Sequence, residues 1–179
     1  MDHKEIISEW FDLYGDDIFH FLLYRVGSSD AEDLVQEVFI RALKSYKHFE
    51  NLSSPKTWLY SIARNVAIDE WRKRGSRKWK KLIPLDKSPE AVSYETPEFI
   101  LDGNEETHRI FSAIRQLKPS YQEVTILRGV KELSIKETAD ILNWSESKVR
   151  STQHRARQVL LEILRRDEDD ELQGFSKIR

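Results

Sequence analysis

No cysteine occurs among the 179 residues, which excludes disulfide staples, thiolate nucleophiles and cysteine-ligated zinc. The five histidines, His3, His20, His48, His108 and His154, are scattered without an i, i+4 pair, so a histidine-based metal site is not expected. The six glycines form no run that would cradle a phosphate, and no nucleophile sits in a motif with a general base. Neither a metal, a cofactor nor an enzymatic activity is therefore expected. Long apolar runs are missing too: the longest is "FLLY" at residues 21–24, against the roughly 20 residues a bilayer requires. The start "MDHKEIISEW" is acidic and polar, unlike the basic-then-apolar order of a secretory signal. The reading is a cytoplasmic protein.

What the chain does have is charge and helical periodicity. Charged residues make up 34% and hydrophobic residues 39%, a mix that suits a folded, charge-rich, mostly helical protein. The net charge of −2 conceals an uneven distribution: −3 over residues 1–75, −1 over 76–105, +5 over 106–166 and −3 over 167–179. A basic module followed by an acidic end favours a polyanionic partner for that module. The length accommodates two small helical cores rather than one large enzyme interior.

Nothing alternates with period two for long, and the expected fold class is all-α. Residues 3–26 form an amphipathic run with a possible break at Gly15. In "GSSDAEDLVQEVF" Ser29 or Asp30 is placed to cap a new helix, with Glu32 and Asp33 in its first turn. Leu34, Val35, Val38, Phe39, Ala42, Leu43 and Tyr46 then make one buried stripe, leaving Asp33, Gln36, Glu37 and Arg41 off it. Asn51, two serines and Pro55 interrupt the pattern, and Pro55 stands where a following helix starts. From Gly75 to about Asn104 the periodicity lapses among Pro84, Pro89 and Pro97, the pattern of an interdomain linker.

The C-terminal part reads as two helices with a tight turn. Ser134 and Glu137 have capping-box spacing, Asn143 tolerates the left-handed conformation at the end of the first helix, and Ser145 caps the second. On that second helix Val149, Thr152, Ala156, Val159, Leu160 and Ile163 share one face. Ser147, Arg150, Ser151 and His154 point the other way, flanked by Arg155. Small Ala139 and apolar Val149 fit a helix-turn-helix, although Asn143 stands where such turns commonly have glycine.

One stretch stands out. "TWLYSIARNVAIDEWRKRGSRKWKK", residues 57–81, holds three tryptophans and eight lysines or arginines against two acids. Projected on a helix, Ser61, Arg64, Asn65 and Arg72 lie away from Trp58, Ile62 and Val66, with Tyr60 and Trp71 on the flank.

"DAEDLVQEVFIRALKSYKHF", then "SPKTWLYSIARNVAIDEWRKR", a linker and a basic helix-turn-helix together resemble the extracytoplasmic-function (group IV) sigma factors of the bacterial sigma-70 family. The resemblance covers nearly the whole chain except the acidic tail. It implies two small helical domains joined by a flexible linker: a region 2 bundle over residues 1–75, the linker at 76–105, a region 4 helix-turn-helix at 106–167, and the tail at 168–179. The implied function is that of an alternative sigma factor, binding core RNA polymerase and directing initiation at promoters of an envelope or extracytoplasmic stress response. Asp33, Gln36, Glu37 and Arg41 would face the β′ clamp helices, with a second contact at the β flap. Phe49, Ser61, Arg64, Asn65 and Arg72 would meet the unwound −10 strand, Phe49 through the loop from Phe49 to Lys56 that receives an extruded base. Ser147, Arg150, Ser151, His154 and Arg155 would read the −35 duplex. The resemblance further implies a dedicated anti-sigma factor, often membrane-anchored. The competing reading is a self-sufficient helix-turn-helix transcriptional regulator with an N-terminal sensing or dimerisation domain.

Overall fold

The computed structural model describes residues 2–27, 30–50, 52–79 and 105–176, with side chains described through Arg74 in the first part and through Asp167 in the last. Seven α-helices occur among these residues: α1 His3–Val26, α2 Ala31–Ser45, α3 Pro55–Trp79, α4 Glu105–Gln116, α5 Pro119–Thr125, α6 Ile135–Leu142 and α7 Glu146–Ser176. A 3-10 turn, Tyr46–His48, follows α2, and a wide π-turn, Ile126–Val130, continues α5. The chain divides into two compact units, one built on α1–α3 and one on the helices after residue 105. The all-α architecture matches the expectation from periodicity. Lys80–Asn104, most of the expected linker at 76–105 with its three prolines, lie outside the described residues, as do Ser29 and Asn51, while residues 76–79 and Glu105 at its ends belong to α3 and α4.

The first unit is a three-helix bundle in which each helix packs on the other two. Ile18, Phe21, Leu22 and Val26 of α1 meet Leu34, Val35, Val38 and Ala42 of α2 and Leu59, Tyr60, Ala63, Val66 and Ala67 of α3 as buried residues. α1 runs unbroken through Gly15, correcting the expected break: Gly15 is buried, and a Cβ added there would meet the Phe11 ring at 3.9 Å. The buried face of α3 is also turned relative to the sequence projection. Tyr60, placed on the flank from sequence, is fully buried with its ring 5.3 Å from that of Phe21, whereas Trp58 and Ile62 are only half-buried. Burial, and secondarily Asp17, pushes the Tyr60 phenol well above its ordinary value. On α2 the stripe holds except at its edge, where Leu43 is exposed beside Ile40.

The end of α1 shows how α3 organises this bundle. A helix leaves its last carbonyls without intrahelical partners, and here three find donors. Gly27, with φ of 88°, turns the chain and donates its N–H to the Leu23 carbonyl at 3.1 Å. Trp71 Nε1 donates to the Arg25 carbonyl at 3.0 Å, and Arg74 Nη1 to the Val26 carbonyl at 2.7 Å. The same guanidinium reaches Asp30, the residue preceding α2, at 2.6 Å, and Glu70 of its own helix at 3.0 Å. Asp30 therefore flanks the start of α2 as expected, but its carboxylate binds Arg74 and makes no side-chain cap hydrogen bond. α3 itself is capped by Ser54, whose Oγ accepts the Thr57 N–H at 3.1 Å, with Pro55 at the first helical position. It then continues through Gly75 to Trp79, four residues beyond where the sequence pattern lapses.

In the second unit Ala113 and Leu117 pack with Ile163, covered by Tyr121, Val159, Leu160 and Leu164. Ser134 and Glu137 form the expected reciprocal capping box at α6, with N···O distances of 2.8 and 3.1 Å. Asn143 adopts φ of 54°, the left-handed conformation read from its sequence position, and Ser145 Oγ accepts the Lys148 N–H at 3.2 Å to start α7. No feature of the residue pattern pointed to the π-turn. Arg128 within it donates to the Leu133 carbonyl and, at 3.2 Å, to Gln153 of α7, tying the turn to that long helix.

Arg74→Met should lower the stability of the first unit by about 2 kcal/mol, since it removes charge-assisted hydrogen bonds to groups that then lack a donor. Arg74→Lys should recover only part of this, because an ammonium cannot span the same fork. Urea titration read by tryptophan fluorescence reports mainly on this unit, since four of the five tryptophans, Trp10, Trp58, Trp71 and Trp79, lie in α1 and α3, and replacing Trp144 of the second unit with Phe in every variant removes the remaining signal.

Candidate nucleic-acid and polymerase interfaces

The expected −10 residues separate into three kinds. Asn65 and Arg72 are exposed on the side of α3 opposite its buried face, and Arg72 makes only a loose 3.8 Å approach to Asp69. Ser61 and Arg64 share that face but are half-buried, and the Ser61 hydroxyl donates back to the Thr57 carbonyl at 3.1 Å. Phe49 stands apart from this row. It belongs to a group of rings in which Trp58 lies 4.9 Å, Trp10 5.3 Å and Tyr46 6.2 Å from it. Within the same loop Leu52 is 84% exposed. Sequence reading covered this loop without singling out Leu52, and it missed Trp10 and Tyr46 as partners of Phe49.

Trp71 and Arg74, part of the tryptophan-rich basic stretch, reach the α1 end through their donor nitrogens, although Trp71 is still 36% exposed. The stretch is therefore two populations on one helix: Trp71 and Arg74 bind protein, whereas Asn65 and Arg72 face outward. Lys80 and Lys81 lie outside the described residues.

The four residues expected to face polymerase are likewise divided. Asp33 and Gln36 are exposed on α2. Arg41 instead bridges two helices, its Nε 2.7 Å from Glu37 and its Nη1 2.8 Å from Asp69 of α3. The hydrogen bond from Arg41 holds the Glu37 carboxyl below its ordinary range. Exposed Ile40 and Leu43 lie one and two turns on from Gln36, adding an apolar component to the same helix that the charge pattern did not reveal.

On α7 the structure brings Ser147, Arg150, Ser151, His154 and Arg155 together as one exposed face, while Val149, Thr152, Ala156 and Ile163 are buried behind it. Arg150 lies along the helix, 2.8 Å from Glu146, in an exposed i, i+4 pair that is worth little in water and is readily exchanged for a phosphate. Ser151 Oγ donates to the Lys148 carbonyl at 3.2 Å. Lys148 Nζ sits 4.0 Å over the Trp144 ring, bracing the start of the helix. No group of three or more His, Asp or Glu side chains suited to hold a metal occurs among the described residues, nor any helix long and apolar enough to cross a membrane.

The chain matches known proteins in both of its units. Residues 10–77 match the sigma-70 region 2 family model and residues 107–160 the sigma-70 region 4 model. The chain is 42% identical over 176 residues to the ECF RNA polymerase sigma factor SigX of Bacillus subtilis, covering 94% of this chain and 91% of that protein. It is 33% identical over 172 residues to the RNA polymerase sigma factor YlaC of the same organism, covering 96% and 99%. Among solved structures, CnrH in complex with the cytosolic domain of CnrY superposes with a TM-score of 0.69 over 92% of this chain and 90% of that one, at 20% identity, a likeness of fold. RpoE of Bartonella quintana, in complex with the anti-sigma factor NepR, gives a TM-score of 0.66 at 25% identity, covering 88% of this chain and 96% of that one. The chain belongs to the sigma-70 family, in its extracytoplasmic-function group. It is an alternative sigma factor, which binds core RNA polymerase and directs initiation at particular promoters; the self-sufficient regulator is not favoured. Sigma factors are initiation factors rather than catalysts.

The division on α2 is testable through stability alone. Arg41→Met should destabilise the first unit by about 1 kcal/mol, discounted for solvent exposure of the pair, whereas Gln36→Ala should stay within about 0.5 kcal/mol of the parent. Because the Glu37 pKa is lowered in the folded state, its contribution is present above the ordinary glutamate value and is lost as pH falls through the folded value. The gap between parent and Arg41→Met in urea titrations should therefore narrow on acidification through and below the glutamate range.

Proposed function

We propose that the two units divide promoter recognition. Residues 1–75 bind core polymerase and the −10 element, residues 106–167 bind the −35 element as duplex, and residues 76–105 connect them. The observation that carries this reading is the outward row of α3, Ser61, Arg64, Asn65 and Arg72, directly opposite a face locked into the bundle. Single-strand capture needs cations for phosphate and surfaces for unstacked bases within one small area. Arg64 and Arg72 supply the charge, the Asn65 amide reads a base edge, and the loop carrying Phe49 and the exposed Leu52 receives a base that has left the stack.

On the second unit, Ser147, Arg150, Ser151, His154 and Arg155 enter the major groove. Arg150 is placed for a base edge or phosphate, and the capped start of α7 favours phosphate. Asp33 and Gln36 contact the β′ clamp helices directly, with Glu37 and Arg41 holding α2 against α3 beside them, and the second unit meets the β flap. The RpoE relative, solved with the anti-sigma factor NepR, supports control of this chain by an anti-sigma factor, in keeping with a membrane-anchored inhibitor that releases a cytoplasmic sigma factor under envelope stress.

Run-off transcription with purified core polymerase on a promoter library tests the reading. Initiation confined to templates sharing two elements about one −35/−10 spacing apart is the expected result, and polymerase-independent binding to a two-fold operator would refute it. In the same assay Asn65→Ala should depress transcription most on fully duplex templates and alter −10 base preference, leaving −35 preference intact. Arg72→Ala should weaken binding to −10 single strands of any sequence and reduce its salt dependence by about one phosphate contact. Parental discrimination by Asn65→Ala on both duplex and pre-melted templates would remove Asn65 from the site.

A further inference from the structure

The connection between α2 and α3 is held at both ends by α1. At its beginning, the Phe49 ring meets Trp10 edge-on, with centroids 5.3 Å apart and planes at 82°. Trp10 also meets Trp58, in the first turn of α3, at 6.0 Å and 76°, and Tyr46, in the turn after α2, at 5.7 Å. At the other end, Lys56 pairs with Asp17 at 2.8 Å. Trp10 and Asp17 are seven residues apart in one continuous helix, so they share a face about 10 Å apart along its axis.

This arrangement is separate from the core that closes the bundle. Trp10, Phe49 and Trp58 are half-buried, while Phe21, Leu22, Leu59 and Tyr60 fill the interior without them. Edge-to-face ring contacts are directional, so they fix where the connection leaves and re-enters the bundle as well as covering apolar surface. Between these ends Leu52 projects into solvent.

We infer that Trp10 is a positioning residue for −10 strand capture, assisted by Asp17: from α1 it sets the course of the α2–α3 connection and thereby the discrimination between extruded bases. The inference rests on the −10 reading of that connection and assigns part of its specificity to a helix that touches no DNA.

The test uses full-length protein assembled with core polymerase. Affinity is measured for single-stranded −10 oligonucleotides, matched and base-substituted, alongside core affinity, −35 duplex preference and the unfolding midpoint. Trp10→Leu keeps an apolar side chain without a ring edge, Trp10→Phe keeps a ring, and Asp17→Asn releases the other end. Trp10→Leu should lower the matched-to-mismatched ratio about fivefold, with most of it restored in Trp10→Phe, the factor expected for directional ring contacts. Asp17→Asn should lower it about twofold to threefold, as for a partly exposed ion pair. Core affinity and −35 preference should not change. A shift in unfolding midpoint with an unchanged ratio in the folded holoenzyme overturns the inference. Should Trp10→Leu fail to fold, an unchanged ratio in Asp17→Asn overturns it. Asn65→Ala measured in parallel separates the two levels: loss of discrimination there but not in Trp10→Leu ends the positioning role alone, and no loss in either ends the −10 reading as well.

Discussion

One guanidinium holds together the corner on which the first unit depends. Arg74 of α3 donates to the last helical carbonyl of α1 and to the carboxylate that precedes α2, with Trp71 donating to the neighbouring carbonyl. The end of α1 bears partial negative charge and orphan acceptors, so a cation with several fixed donors satisfies it through charge-assisted hydrogen bonds. The joint fixes the rotation of α3 about its own axis as well as its position. Once Trp71 and Arg74 are tied to the end of α1, the period of the helix leaves Asn65 and Arg72 facing out.

That coupling explains how a helix of this composition serves two purposes. Tyr60, Ala63, Val66 and Ala67 close the core, Asp69 receives Arg41 from α2, and Asn65 and Arg72 lie exposed on the remaining arc, the one proposed to meet a polyanion. The second unit follows the same design with different parts. Val149, Thr152, Ala156 and Ile163 bury one side of α7, and Arg128 braces it through Gln153. The polar row from Ser147 to Arg155 is the remainder. In both units the face proposed to meet nucleic acid is specified by what the opposite face must bury.

Much of this was legible in the sequence because it depends on local rules. Helical period, the Ser134–Glu137 capping box, the left-handed Asn143 and the Ser145 cap each involve residues within one or two turns, and all appear in the structure. The five-residue face of α7 was readable for the same reason. What was not legible depends on contacts across the fold. Tyr60 is core because Phe21 of another helix meets it. Arg74 is a structural arginine because α1 happens to end beside it. Arg41 was grouped with surface residues since its partner Asp69 is 28 positions away. Nor does periodicity indicate that Trp10, near the start of the chain, packs on Phe49. Composition alone does not separate arginines that bind protein from those that face solvent.

The central claim is that the outward arc of α3 and the adjoining connection meet unpaired −10 bases while the inward arc holds the bundle. The most direct measurement is photocrosslinking from single modified bases of the non-template −10 strand in an open holoenzyme–promoter complex, with the attached residues identified by peptide mass spectrometry. Crosslinks confined to the Phe49–Lys56 connection and to the Ser61–Arg72 face of α3 are the expected result. Crosslinks from those bases to α7, with α3 unlabelled, would contradict it.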